Sequence, residues 1–354
     1  MKIKSYLLAA FAATLALYSC KSGVDTPLID KEGQEEYVEL FIDGSAAGGP
    51  MSVKSLSVNQ TDEEKAISNI QVFAFCEDGN LAGYAKNESG SDVTLRIAKQ
   101  PGTVELFALA NVDLNSLDLS TIRNRSELSN TYINANSSAP GRFMMSGSYD
   151  YTSESPNALT INLYRYLVRV SVEKINKTEH MKTQDIVLQG IYLINVCDKM
   201  SLDGTIVSDD VNNWKNFKLF GEDAYDVHKW RGEHQMNRSY PSNLTSMVVD
   251  RQMYCLPNPT LQKNDRNDAS ANPRVTRLVI ECTINGVTYY YPINVLDDRD
   301  SEDSALSRNK HVYFKTITIS GLGSSSPDVL PEFVNLSYEF VVKDWDSSQY
   351  EIEY

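Results

Sequence analysis

The feature that most constrains this chain is a two-residue rhythm of apolar side chains, repeated in short runs along its length. In "EYVELFIDG" (36–44), Val38, Leu40 and Ile42 share one parity, while Tyr37, Glu39 and Phe41 share the other. In "LVRVSVEKI" (167–175), Val168, Val170 and Val172 alternate with Leu167, Arg169 and Ser171. In "EFVNLSYEFVVKDW" (332–345), Val334, Leu336, Tyr338, Phe340 and Val342 fall on one side. A period of two suits a strand with one buried face and does not suit a helix, whose apolar positions recur every three or four residues. The expected fold class is therefore all-β with minor helices, built as sandwiches.

Turn chemistry separates the runs. "ISNIQVFAFC" (67–76) and "LAGYA" (81–85) flank "EDGN", whose Asp78-Gly79 pair is a hairpin signal. Further strands are expected at "DVTLRIA" (92–98), "GTVELFALANV" (102–112), "GRFMMSGSY" (141–149) and "NALTINLYRY" (157–166). Beyond them the pattern resumes at 186–196, 246–258, 275–286, 287–295 and 311–323. Leucines and Ile122 at helical spacing in "LNSLDLSTIRNRSELS" (114–129) predict one or two short helices. The small, breaker-rich stretch 45–66 reads as a loop. With 354 residues, 42% of them hydrophobic, the chain has material for two packed cores. The expected division is a domain over 36–166, opening on a strand at 36–43, and a second over 167–354.

The N-terminus is a different kind of segment. Lys2 and Lys4 precede the apolar, small-residue run "SYLLAAFAATLALYS", and Leu17-Tyr18-Ser19-Cys20 fits the bacterial lipobox. The run is shorter than the roughly 20 apolar residues of a spanning helix, so residues 1–19 read as an export signal. Cys20 is then the acylated first residue of the mature chain, and polar residues 20–35 are a tether. The formal charge of −14 disfavours nucleic acid as a partner. Cys76, Cys197, Cys255 and Cys282 sit in apolar runs and read as buried thiols, with one disulfide open.

No catalytic constellation is present. His180, His228, His234 and His311 fall in no metal-ligand spacing, and P-loop, nucleophile-elbow and dinucleotide motifs are absent. The acidic loop "LDDRDSEDSA" (296–305) lacks the turn glycine of a calcium loop and reads as a solvated face. The segment 212–241 interleaves Trp214, Phe217, Phe220, Tyr225, Trp230 and Tyr240 with basic residues. Such aromatics either stack on a sugar or pin a long excursion onto the domain, and the second reading is favoured. The expectation is a protein that is not an enzyme and needs no cofactor or metal.

The order of these stretches resembles the fimbrillin family of Bacteroidales, lipoprotein-derived subunits of type V pili. The lipobox at Cys20, "ISNIQVFAFCEDGNLAGY" (67–84), "FMMSG" (143–147), "LYRYLVRVSVEKI" (163–175), "MYCLPN" (253–258), "SRNKHVYFKTITISGLG" (307–323) and "VVKDW" (341–345) carry the resemblance. It implies two transthyretin-like β-sandwich domains in tandem, outer-membrane lipidation at Cys20, and trypsin-like cleavage in the loop after the first strand. No arginine precedes Arg96, so the expected cut follows Lys54, with Lys65 as the alternative. The removable strand offers Val38, Leu40 and Ile42, and is expected at a sheet edge. "DSSQYEIEY" (346–354) repeats the alternation with Tyr350, Ile352 and Tyr354 and is the expected donor to a neighbouring subunit. The implied role is a fimbrial subunit whose partners are other fimbrial subunits and surface ligands of host or bacterium. The alternatives are an anchor or tip subunit, or a surface glycan-binding lipoprotein.

Overall fold

The structure is a computed structural model that describes residues 37–46, 62–99, 101–113, 119–134, 142–206, 213–216, 235–239, 246–265, 274–331 and 336–344. Cys20, Lys54, the 217–234 part of the aromatic segment, and the expected donor residues Tyr350, Ile352 and Tyr354 lie outside these residues. No described helix is long and apolar enough to cross a membrane.

In the first half the elements are β1 (Tyr37–Ala46), α1 (Asp62–Lys65), β2 (Ile70–Cys76), β3 (Leu81–Asn87), β4 (Asp92–Ala98), β5 (Val104–Ala110), α2 (Arg125–Ser129), β6 (Tyr132–Asn134), β7 (Met145–Tyr151) and β8 (Ala158–Arg165). Seven strands form one wrapped sheet in the order β3-β2-β5-β7-β8-β1-β4. It folds back on itself at a weak seam, because β7 and β8 pair only through Met145–Arg165 and Ser146–Tyr164. The inward faces of the two arms enclose a core that includes Leu40, Ile42, Val72, Leu95, Leu106 and Ile161.

The outward face of β2 and β5 is apolar as well, with Phe73 and Phe75 stacked at 5.9 Å and Phe107 opposite Phe73. The 119–134 segment lies against this face, and the Arg125 guanidinium sits 4.9 Å from the Phe107 ring centroid. α2 is capped at its start by Asn124, whose side chain accepts from the Glu127 amide. This double burial explains why β2 reads as a continuous apolar run and not as an alternation.

In the second half, β9 (Val168–Lys177), β10 (Ile186–Ile194), β11 (Val196–Cys197), β12 (Lys199–Ser201), β13 (Trp214–Lys215), β14 (Gln235–Ser239), β15 (Ser246–Cys255), β16 (Arg277–Ile284), β17 (Val287–Asn294), β18 (Lys310–Ile319) and β19 (Leu336–Asp344) follow. Two four-stranded sheets, β15-β9-β18-β19 and β14-β10-β16-β17, enclose a second core that includes Val170, Val172, Ile191, Ile280, Val312 and Phe314. Both halves combine one parallel pair with antiparallel ones: β1 beside β8, and β18 beside β9.

Two sequence expectations are corrected. The first strand runs to Ala46, because Gly44, Ser45 and Ala46 continue its pairing with Ile161, Asn162 and Leu163. Cys197, Cys255 and Cys282 are buried free thiols, but Cys76 is half-buried at the end of β2 and is not a free thiol. Trp214 is buried in the first core, in line with the favoured reading that it pins its segment onto the domain; the other aromatics of 212–241 lie outside the described residues.

The seam depends on Gly147. A Cβ there would stand 2.0 Å from the Asn162 carbonyl oxygen and 3.0 Å from its carbonyl carbon, both backbone atoms that cannot swing aside. Gly147→Ala is expected to destabilise the fold by about 2 kcal/mol or more through overpacking, read as a lowered midpoint in urea unfolding.

Candidate functional site

The first strand is the centre of interest, and it is not an edge. β1 pairs antiparallel with β4 from Tyr37–Ala98 to Asp43–Asp92, and parallel with β8 from Phe41–Ala158 to Ala46–Leu163. The expected edge position is therefore corrected: β1 lies between two strands and is paired on both sides over Phe41–Asp43. The Phe41 amide donates to the Asn157 carbonyl at 2.8 Å, and the Gly44 amide to the Ser91 carbonyl at 2.7 Å.

The alternation in the sequence becomes a two-faced strand. Leu40 and Ile42 are 0% exposed, and half-buried Val38 packs on the same core. Gly44 continues that face with no side chain, since a Cβ would meet Ile70 Cδ1 at 2.6 Å and Leu163 Cδ1 at 2.9 Å. On the outer face Tyr37 and Phe41 are exposed, and Glu39 stands opposite Arg96 in the register with β4. Arg96 also stacks on Tyr37, with 4.1 Å from its guanidinium carbon to the ring centroid. At the start of the strand, where β8 has not yet begun, a cavity of about 130 Å³ opens beside Val38. Ile97, Lys99, Val104, Tyr151 and Asn157 line it.

The chain re-enters at α1 into a polar clasp. Glu64 is 1% exposed; its carboxylate takes hydrogen bonds from Arg169 Nη1 at 3.2 Å and from the Tyr254 hydroxyl at 3.0 Å. Its backbone carbonyl accepts from Arg165 Nε at 2.9 Å. Arg165 also donates to Asn309 Oδ1 at 3.3 Å, and the Asn309 amide donates to the Leu167 carbonyl at 3.0 Å. Arg308 reaches Ser146 and lies over the Tyr166 ring, whose hydroxyl donates to the Leu202 carbonyl. These bonds tie α1, the turn from β8 to β9, and the start of β18 into one unit. Burial, reinforced by the Glu64 charge, pushes the Tyr254 hydroxyl well above its ordinary range. Burial pushes Tyr166 up to about 12.

Lys65 closes α1 directly beside this clasp and is half-buried. Val38, Leu40 and Ile42 are brought together on the inward face of β1, whereas nothing in the clasp was singled out from sequence. A usable signal existed: arginines at 165 and 169 inside "LYRYLVRV" are charges in a buried stretch, which require buried partners.

The described residues present no centre for bond chemistry. Ser171 and His311 are hydrogen-bonded at 2.7 Å, but both are buried within a sheet. No group of acidic, cysteine and histidine side chains among the described residues could hold a metal ion. The arrangement instead offers a strand in a slot.

The stability of the clasp follows from its burial. Glu64→Gln removes the charge facing Arg169 and is expected to cost about 3 kcal/mol in chemical unfolding. Tyr166 gives a pH test. Because its folded-state pKa is raised, its contribution is complete below the unfolded value of about 10 and is lost as pH rises through about 12. Tyr166→Phe is expected to flatten the stability profile over that window.

Comparison with known proteins agrees with this geometry. The family model for fimbrillin-A associated anchor proteins Mfa1 and Mfa2 matches residues 42–349. No curated protein matches the sequence. A fimbrilin, FimA, from Porphyromonas gingivalis W83 superposes with a TM-score of 0.58 at 15% identity, over 90% of this chain and 99% of that one. The tip fimbrial protein Mfa3 from Porphyromonas gingivalis, crystallised with a C-terminal truncation, superposes at 0.52 with 14% identity, over 88% and 100%. These likenesses establish the fimbrillin β-sandwich fold. The family is one of structural fimbrial proteins of the cell surface, not of enzymes. With most of its length matched, this chain belongs to the fimbrillin-A associated anchor protein family.

Proposed function

We propose that the chain is a fimbrial subunit that is exported as an outer-membrane lipoprotein on Cys20, trimmed after Lys54, and joined to its neighbours by strand exchange. In this reading residues 346–354 of one copy, with Tyr350, Ile352 and Tyr354 inward, take the place of β1 in the next. The tandem sandwiches, divided at 166/167, are the unit that repeats.

One observation carries the proposal. β1 lies in a slot between β4 and β8, buries Leu40 and Ile42, and reaches α1 only through residues 47–61. With Cys20 acylated, and so unable to pair with Cys76, cutting that connection leaves β1 held by noncovalent contacts alone. Its departure would open two strand edges and an apolar floor, which another strand can fill by β-augmentation. Burial of Leu40 and Ile42 contributes about 1.5–3 kcal/mol each, so an empty slot is strongly driven to refill.

The clasp favours Lys54 over Lys65. A protease reads an extended, accessible backbone, and Lys65 ends a helix beside buried Glu64. Lys54→Ala is expected to abolish trimming, while Lys65→Ala leaves it intact. The check is mass spectrometry of the N-terminus in isolated fibres: Ser55 in wild type and in Lys65→Ala, an acylated Cys20 in Lys54→Ala. A Cys20 found in a disulfide would carry no lipid and would overturn the lipoprotein step.

A second reading has its own support. The matching family is described by anchor proteins, and the loop offers lysine where the fimbrillin cut usually follows arginine. An anchor would keep Cys20 and its acyl chains, accept a neighbour's strand nowhere in the β1 slot, and hold the fibre to the membrane. Wild-type fibres with a lipidated Cys20 and no Ser55 terminus decide for it.

A further inference from the structure

The slot around β1 is uneven along its length, and that unevenness selects how a strand can lie in it. Position 38 borders the cavity of about 130 Å³, so the seat there is larger than the valine that occupies it. Position 39 faces Arg96 and carries a glutamate. Position 40 is a fully buried leucine. Position 44 is crowded: a Cβ there would press on the ends of Ile70 and Leu163 and stand 3.2 Å from the Ser91 carbonyl oxygen, which leaves no room for a large side chain.

The segment Tyr350-Glu351-Ile352-Glu353-Tyr354 can be laid on this pattern in few ways. An odd shift turns its apolar side chains to solvent. Placing Ile352 at position 42 in the sense of β1 puts Tyr354 on the bare site of Gly44. Placing it at position 38 in that sense leaves the seat of Ile42 unfilled by any residue of 346–354, and in the reverse sense it puts Ser348 in that seat and Asp346 on Gly44. Placing it at position 40 but running against β1 brings the Ser348 Cβ onto the site of Gly44. In the sense of β1 with Ile352 at position 40, Tyr350 meets the cavity, Glu351 faces Arg96, and none of residues 346–354 falls on Gly44.

We infer that the incoming segment lies in the same sense as β1, with Ile352 in the place of Leu40, Glu351 opposite Arg96 and Tyr350 filling the cavity beside position 38. This rests on the strand exchange proposed above and adds its register. It also gives the exchange a direction, because the incoming tyrosine fills space that Val38 leaves open. Position 42 is the tight point: Ile42 is fully buried beside Val93 and Leu159, which must yield to Tyr354.

The test is site-directed crosslinking between copies of the trimmed protein starting at Ser55. Arg96→Cys is paired with Glu351→Cys in one sample and Glu353→Cys in another, assembled, and oxidised mildly. All three positions carry solvent-side charges in this register, so folding is retained; thermal melts check it. The expected result is a ladder on non-reducing gels for the Glu351 pair and none for the Glu353 pair. A ladder for the Glu353 pair instead overturns the sense. Assembly without a ladder in either sample overturns the register and leaves strand exchange standing. A trimmed parent that stays monomeric, unchanged by deletion of 346–354, overturns strand exchange and the register with it. Within the tail, Tyr350→Ala is expected to slow assembly, whereas Tyr354→Ile does not; the reverse order overturns the assignment of the cavity to Tyr350.

Discussion

The architecture turns on a strand that is bonded along both of its edges yet belongs to the chain through one connection. An edge strand that leaves a sheet exposes one row of amides and carbonyls. β1, between β4 and β8, would expose two. Unpaired backbone groups in a partly buried slot are costly, so on the proposed exchange an open form would be a short-lived intermediate and not a resting state. That cost acts on any occupant. It favours whichever strand is available at high local concentration, and in the uncut chain that strand is β1.

The clasp on the far side of the connection is the complement of this arrangement. If residues before the cut depart, the chain after it must not unravel. Glu64 answers that need, because its carboxylate, its carbonyl and the helix that carries it are tied to Arg169, Tyr254 and Arg165 within a few residues of the connection. These groups are buried, so the pair is shielded from salt as well as from water. The clasp itself contains no residue of β1. The second core, built from β9 onward, contains no residue of β1 at all.

Much of this was legible in the chain, for physical reasons that can be named. Strict alternation made β1, β4 and β8 readable, since each buries every second residue. The Asp78-Gly79 turn appears between β2 and β3, with Gly79 in the left-handed region. What could not be read was adjacency. Alternation tells which side chains point inward but says nothing of the neighbour, so the parallel pairing of β1 with β8, more than a hundred residues away, was invisible and an edge was expected. The clasp was hidden for a related reason. A glutamate in "TDEEKA" looks like solvent-exposed helix surface until Arg165 and Arg169 are brought to it by the fold. Trp214, an aromatic amid polar residues, is buried as the favoured reading of its segment expected.

Replacing one strand by another exchanges like for like in the backbone, so hydrogen bonds alone cannot drive assembly. Two asymmetries remain. The first is covalent: cutting the connection removes the local concentration advantage of β1 without weakening any contact it makes. The second lies in the side chains, where a cavity beside Val38 and a basic Arg96 reward a segment with a larger apolar residue and a retained glutamate. A contact that joins the slot of one copy to the tail of another is heterologous, and such contacts extend into open filaments unless geometry closes them. On the proposed strand exchange, stalk and anchor would differ in a single covalent bond: with it cut, a subunit could both receive and donate; with it intact, the slot would stay filled from within and the acyl chains would stay attached. The same fold would then support a fibre or its foothold according to whether a protease reaches one lysine.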